Sequence, residues 1–228
     1  MKKATFILVL VLAMLLTACG SNSTPTVPQE SASIESSPVE SVPVETIKPS
    51  DKLTVIDGNT ITLWDDGTGT DDSGDGLKKT VALTNRQINY TIEAGSFTIT
   101  INSVQLADME FQSSDTASLF NMAAGDSAAI FSVDLTVENT SDDNLTFYPD
   151  QSTIVTNTKA QVVNDLLISD NVGGDFLGKV IKNGQIIFII PNNAAADITT
   201  IKWHVDAPLD TNFDKMCDDI VVTFNFRK

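Results

Sequence analysis

Phe131, Val133, Leu135 and Val137 alternate with Ser132, Asp134, Thr136 and Glu138. A period of two is the mark of a strand with one face buried. The same period returns at Phe97, Ile99 and Ile101, at Ile201, Trp203 and Val205, and at Ile220, Val222, Phe224 and Phe226. Gln185 to Ile190 is almost continuously apolar, which predicts a central core strand, and Lys182-Asn183-Gly184 before it predicts a hairpin turn. Upstream, Leu53–Ile56, the turn Asp57-Gly58-Asn59 and Thr60–Trp64 predict a hairpin, with further strands at Thr80–Leu83 and Ile88–Ile92. Helical signal is weak: two turns over Asp115–Met122, and one over Asn212–Cys217 with Phe213 and Met216 facing inward. A parallel sheet needs crossover helices that this pattern lacks. The expected fold is therefore all-β, an antiparallel β-sandwich.

The N-terminus carries a different message. Met1-Lys2-Lys3 precedes an apolar run over residues 4–16, 13 residues long, short of the ~20 that a spanning helix requires. A basic start, a short apolar segment and small residues after it predict a cleaved export signal over residues 1–18. Leu16-Thr17-Ala18-Cys19 resembles the lipobox of bacterial lipoproteins. That resemblance implies diacylglycerol on the Cys19 sulfur, cleavage before Cys19 and anchorage at the outer face of the cell membrane. Residues 19–50 hold five of the chain's eight prolines among Ser, Thr, Val and Glu. Such a stretch buries too little apolar area to offset its chain entropy, so it is expected to be a disordered tether. Residues 51–94 are expected to be N-terminal strands and an acidic loop packed on a main domain over residues 95–228.

Thirty acidic and fourteen basic residues give a formal charge of −16, and loss of Lys2 and Lys3 with the signal takes it to −18. Such a chain cannot neutralise a run of phosphates, so nucleic acid is not an expected partner. Anionic head groups repel it too, which leaves the lipid on Cys19 to hold it at the membrane. With Cys19 acylated, Cys217 has no intramolecular partner and reads as a small buried hydrophobe.

Two motifs carry a resemblance. Phe131 to Thr140, FSVDLTVENT, resembles the strand and Asn turn of the immunoglobulin-like domain of Gram-positive surface lipoproteins, the DUF4352 family with its MPT63-like fold. Asn183-Gly184-Gln185, followed by Phe188 and Pro191, resembles that family's next landmark. The similarity covers about Gly95 to Phe226. It implies an immunoglobulin-like sandwich and brings no established catalytic residues. The strands of residues 53–93 and the acidic loop 65–76 depart from the pattern.

Candidate chemistry is sparse. Five aspartates fall between Asp65 and Asp75, and Asp71-x-Ser73-x-Asp75-Gly76 has the first spacings of an EF-hand loop. The twelfth position, however, is Ala82 where a bidentate Glu belongs. Asp65, Asp71, Ser73 and Asp75 thus remain weak calcium candidates, and no other metal or cofactor is expected. His204, between Lys202 and Asp206, is expected on an outer face without a catalytic partner. Asp142–Asp143 and Asp218–Asp219 read as turn residues, and Trp64, Tyr90, Tyr148 and Trp203 as packing. No nucleophile elbow, zinc helix or phosphate loop is present. The leading expectation is a non-catalytic, lipid-anchored module that presents its sandwich to a protein or cell-wall partner. The alternative is a small metal- or ligand-binding lipoprotein, or a hydrolase, built on aspartates that converge only in the fold. An enzyme needs a pocket of convergent carboxylates, whereas a partner module needs an open face or edge.

Overall fold

A computed structural model describes residues 54–67 and 69–227. The expected export signal, Cys19, the expected tether and Leu53 lie outside the described residues. Each alternating run becomes a strand. In chain order these are β1 (Thr54–Asp57), β2 (Thr60–Trp64), β3 (Asp72–Gly74), β4 (Leu77–Asn85), β5 (Tyr90–Ala94), β6 (Phe97–Phe111) and β7 (Ser127–Asn139). There follow β8 (Asn144–Phe147), β9 (Thr153–Thr156), β10 (Gln161–Val163), β11 (Gly174–Leu177), β12 (Ile181–Pro191), β13 (Thr200–Val205) and β14 (Ile220–Arg227). One helix, α1 (Ser114–Leu119), sits between β6 and β7, started by the Ser113 hydroxyl accepting from the Thr116 N–H at 3.2 Å.

The strands form an antiparallel sandwich. One sheet runs β1-β2-β14-β13-β9-β10, the other β12-β7-β6-β4-β3 with β5 also on β6, and β8 and β11 make a small pair. Among the described residues a single pairing breaks the antiparallel rule: β2 lies parallel to β14, with Leu63 beside Phe226, while Thr54 of β1 faces Leu63 from the other side. The inward residues meet between the sheets. Phe131 of β7 packs on Phe224 and Phe226 of β14, with ring centroids 5.2 and 5.9 Å apart. Phe131, Val133, Leu135 and Val137 are fully buried. Their alternates Asp134, Thr136 and Glu138 are half-buried on the outer face. Ser132 departs from the expected exposure and is buried, flanked by Gln105 of β6 and Ile187 of β12.

Three other expectations are corrected. Lys182-Asn183-Gly184 is not a turn; all three residues lie inside β12, opposite Val137, Thr136 and Leu135. Gly184 is needed for close approach instead. A β-carbon there would meet the Asp170 Cβ at 2.6 Å and the Val172 Cγ1 at 2.7 Å. The segment 165–173 runs along that edge: the N–H groups of Asp165 and Asp170 donate to the carbonyls of Ile187 and Gln185 at 2.8 Å each. The Gln185 and Ile187 N–H groups donate in return to Asp170 Oδ2 and Ser169 Oγ. Gly184→Ala is expected to lower stability by about 1–3 kcal/mol, because the strap must lift from the edge it satisfies. A urea melt checks this, and an unchanged midpoint would mean the strap yields freely.

The apolar run Gln185–Ile190 is an edge strand of its sheet, not a central one. It is apolar on both faces because the outer face carries a second cluster. Ile189 joins Met109, Phe111, Ala128 and Ile130 there, under Ala117 of α1 and against Phe120 and Ile168. Periodicity could not separate an edge strand buried on both faces from a central one. Last, Asn212–Cys217 is not helical, and Phe213 points outward, 73% exposed at φ +64°. The Asp210 carboxylate takes the N–H groups of Asn212 and Asp214, closing a tight loop where a helical turn was expected.

Candidate functional site

The acidic loop is built for turning the chain. Asp75 and Gly76, at φ +50° and +76°, form the two-residue turn of the β3–β4 hairpin, flanked by the pair Gly74 and Leu77. This is the backbone that a type I′ turn demands, and Asp-Gly favours it. The Gly of the EF-hand-like spacing is therefore a hairpin glycine. Asp65 Oδ1 accepts from the N–H groups of Gly67 at 3.0 Å and Thr84 at 3.4 Å, and Asp71 Oδ1 from Val81 at 3.1 Å. Ser73 is exposed on β3. Among the described residues no three of His, Cys, Asp and Glu come close enough to hold a metal ion. Calcium below the millimolar range is expected to leave the thermal midpoint where it is, since a weak extracellular-type site binds at ~10⁻⁴ M or above. A sub-micromolar calorimetric affinity would overturn this.

His204 lies on the exposed face of β13, between Val221 and Thr153. Asp142 forms an exposed ion pair with Lys179 at 3.4 Å. The aromatics are dispersed. Trp203 is fully buried with its indole N–H on Ser152 Oγ at 2.8 Å. The Tyr90 hydroxyl reaches the Gly58 carbonyl and Asn59 Oδ1 of the first hairpin turn.

Displaced acidities gather in one place, the loop over residues 206–219. Its Leu209 exchanges backbone hydrogen bonds with Thr146 of β8, and beside this lies a cleft of about 240 Å³ bordered by Tyr148, Gln151, Leu209 and Lys215. The N–H groups of Asp214 and then Asn212 hold the Asp210 carboxyl below its ordinary range. Lys215 and then the Ala207 N–H do the same for Asp219, while Asp219 raises Lys215. Burial pushes the half-buried Cys217 thiol up, and Asp218 and Asp219 add to it. Each cause is a contact that shapes the loop. Both contacts favour the ionised carboxylate, the reverse of what a proton donor at neutral pH requires.

A second hollow opens on the outer face of the β12-β7-β6-β4-β3 sheet, where α1 does not cover it. It measures about 320 Å³ and is lined by Thr84, Arg86, Asn102, Gln105, Asp134 and Gln185 among others. The register places Thr84 beside Gln105, and Ser103, Asp134 and Gln185 in one row across three strands. A bulge between Ile101 and Ser103 inserts Asn102, whose Nδ2 donates to Thr136 Oγ1 at 3.2 Å and reaches Asp134 Oδ1 at 3.5 Å. No sequence motif marks this hollow, because its residues come from four strands, the segment after β4 and the bulge at Asn102.

The two sheets and the motifs on β7 and β12 define a β-sandwich of one family: residues 86–206 match the domain of unknown function DUF4352, and the chain belongs to that family. The match starts nine residues before Gly95, so it takes in β5. The chain is 24% identical over 152 residues to an SPbeta prophage-derived uncharacterized lipoprotein, YonS, of Bacillus subtilis strain 168, covering 66% of each chain and so just under two thirds of that relative. Among solved structures, a functionally unknown protein from Listeria monocytogenes EGD-e superposes over 65% of this chain and 88% of its own, at 15% identity and a TM-score of 0.52, a likeness of fold alone. An uncharacterized β-sandwich protein from Clostridium difficile 630 matches 60% of this chain and 90% of its own, at 12% identity and a TM-score of 0.34.

Proposed function

We propose that the protein is an exported lipoprotein, held at the outer face of the cell membrane by lipid on Cys19, that presents its sandwich non-catalytically to a protein or cell-wall partner. The observation that carries this reading is Leu16-Thr17-Ala18-Cys19 behind a 13-residue apolar run. Two or three acyl chains suffice for stable anchorage, where one is marginal. Similarity to a relative named as a lipoprotein supports it. So does the use of Asp210 and Asp219 as loop braces, which leaves neither of them poised to transfer a proton. Cys19→Ala is expected to abolish lipid labelling, with the protein released or retained unprocessed. Processing insensitive to globomycin, with a mature terminus other than Cys19, would sink the proposal.

A further inference from the structure

We propose that the polar hollow on the outer face of the β12-β7-β6-β4-β3 sheet is a binding site for a sugar that carries a carboxylate. This names a ligand class beyond the anchoring role, and it holds whether or not Cys19 is lipidated. The short side chains of Thr84 and Ser103 lie among the longer Arg86, Gln105 and Gln185, which leaves space on the scale of the smallest ligand pockets. The internal hydrogen bonds use only part of the available groups. Gln105 Nε2 donates to Thr84 Oγ1 at 2.9 Å, which leaves the Gln105 carbonyl oxygen open. Asn102 reaches one oxygen of Asp134, and the other faces no protein donor among the described residues. Gln185 is tied through its backbone to Asp170, so its side-chain amide remains available.

A carboxylate, three amides and two hydroxyls within one hollow can both give and accept hydrogen bonds, as a ring of sugar hydroxyls does. An extended peptide that adds a strand would need an exposed strand edge for its main chain, and this is a sheet face. Charge selects the acidic class. Arg86 has no carboxylate partner for its guanidinium among the described residues, in a chain with more than two acids per base; the Asp66 carboxylate is turned to its backbone N–H. A guanidinium in that position pairs with a planar carboxylate in bidentate fashion. No aromatic side chain lines the hollow, so the sugar face has nothing to stack on and affinity should be low.

The test uses the full chain in detergent and ligand-observed NMR, with D-glucuronate, D-glucose and acetate as probes. D-Glucuronate should bind saturably with a Kd of about 1–10 mM, and D-glucose and acetate each at least ~10-fold more weakly. Arg86→Gln should weaken D-glucuronate to the level of D-glucose, and Asp134→Asn should weaken both sugars. His204→Ala, on the other sheet, should change neither, and thermal midpoints show whether each variant is folded. Acetate binding as tightly as D-glucuronate would reduce the site to an isolated arginine contact and overturn the proposal. So would D-glucose binding as tightly as D-glucuronate, no saturable D-glucuronate binding, or a folded Arg86→Gln protein with unchanged affinity. Failure of lipid labelling in the Cys19 experiment touches none of these results.

Discussion

Leu135→Ala is expected to cost about 2–5 kcal/mol, while Asp134→Ala, one residue away, should change stability by less than about 0.5 kcal/mol. Leu135 is fully buried on β7, between Ile101 of β6 and Gly184 of β12. Its truncation removes apolar burial and leaves a cavity, since the paired strands on both sides cannot close over it. Asp134 stands on the opposite, half-exposed face, where its carboxylate takes at most the long contact from Asn102. A one-residue slip of β7 would exchange these roles and bury Asp134, so the pair reads the register directly. Urea melts of both variants decide the point. Equal losses, or a larger loss for Asp134→Ala, would mean that the strand is out of register.

Trp203→Ala should be costlier still, at about 3–5 kcal/mol from the lost ring and its cavity. Trp203 is fully buried on β13, paired with Val222 of β14 on one side and Ile154 of β9 on the other. Its indole N–H is also the buried donor to Ser152 Oγ, and Ser152 itself is 2% exposed. Removing the donor strands that hydroxyl without water. Trp203→Phe should therefore lose about 1–3 kcal/mol, although most of the ring is kept. Ser152→Ala combined with Trp203→Phe should recover part of that loss, because both polar partners are then gone. Denaturant midpoints of the three variants measure this, and full additivity of the two single losses would contradict it.

The sandwich was legible because burial of one face of a sheet forces a period of two, and β6, β7, β13 and β14 keep that period along most of their lengths. What lay hidden came from contacts that no local pattern carries. Gly184 follows Asn183 and so imitates a turn, yet it is small because Asp170 and Val172 cross over it. Ile187 and Ile189 imitate a central strand because α1 and the strap cover an outer face that alternation assigns to water. Phe213 imitates an inward helical residue, but the Asp210 carboxylate closes its loop first. The acidic loop was legible as a turn, since Asp-Gly is the dipeptide that a two-residue hairpin turn favours. The hollow around Arg86 and Asp134 was the least legible of all. Its residues are separated by up to about a hundred positions and meet only through strand register.

The parallel pairing of β2 with β14 has a consequence for how the chain could be rewired. Thr54 stands abreast of Leu63, and Leu63 abreast of Phe226. Neighbouring strands are ~4.8 Å apart, so the beginning and the end of the sandwich emerge ~10 Å from each other at one end of one sheet. A bridge of about four to six residues could join them without disturbing a pairing. New termini could then open in the exposed turn at Gly125, where an added β-carbon would touch nothing. In such a circular permutant the β2–β14 pair would change from the strand pairing of widest sequence separation among the described residues to a far more local one. Its loop-closure entropy would fall accordingly. The order in which the two sheets assemble would become something an experimenter can choose.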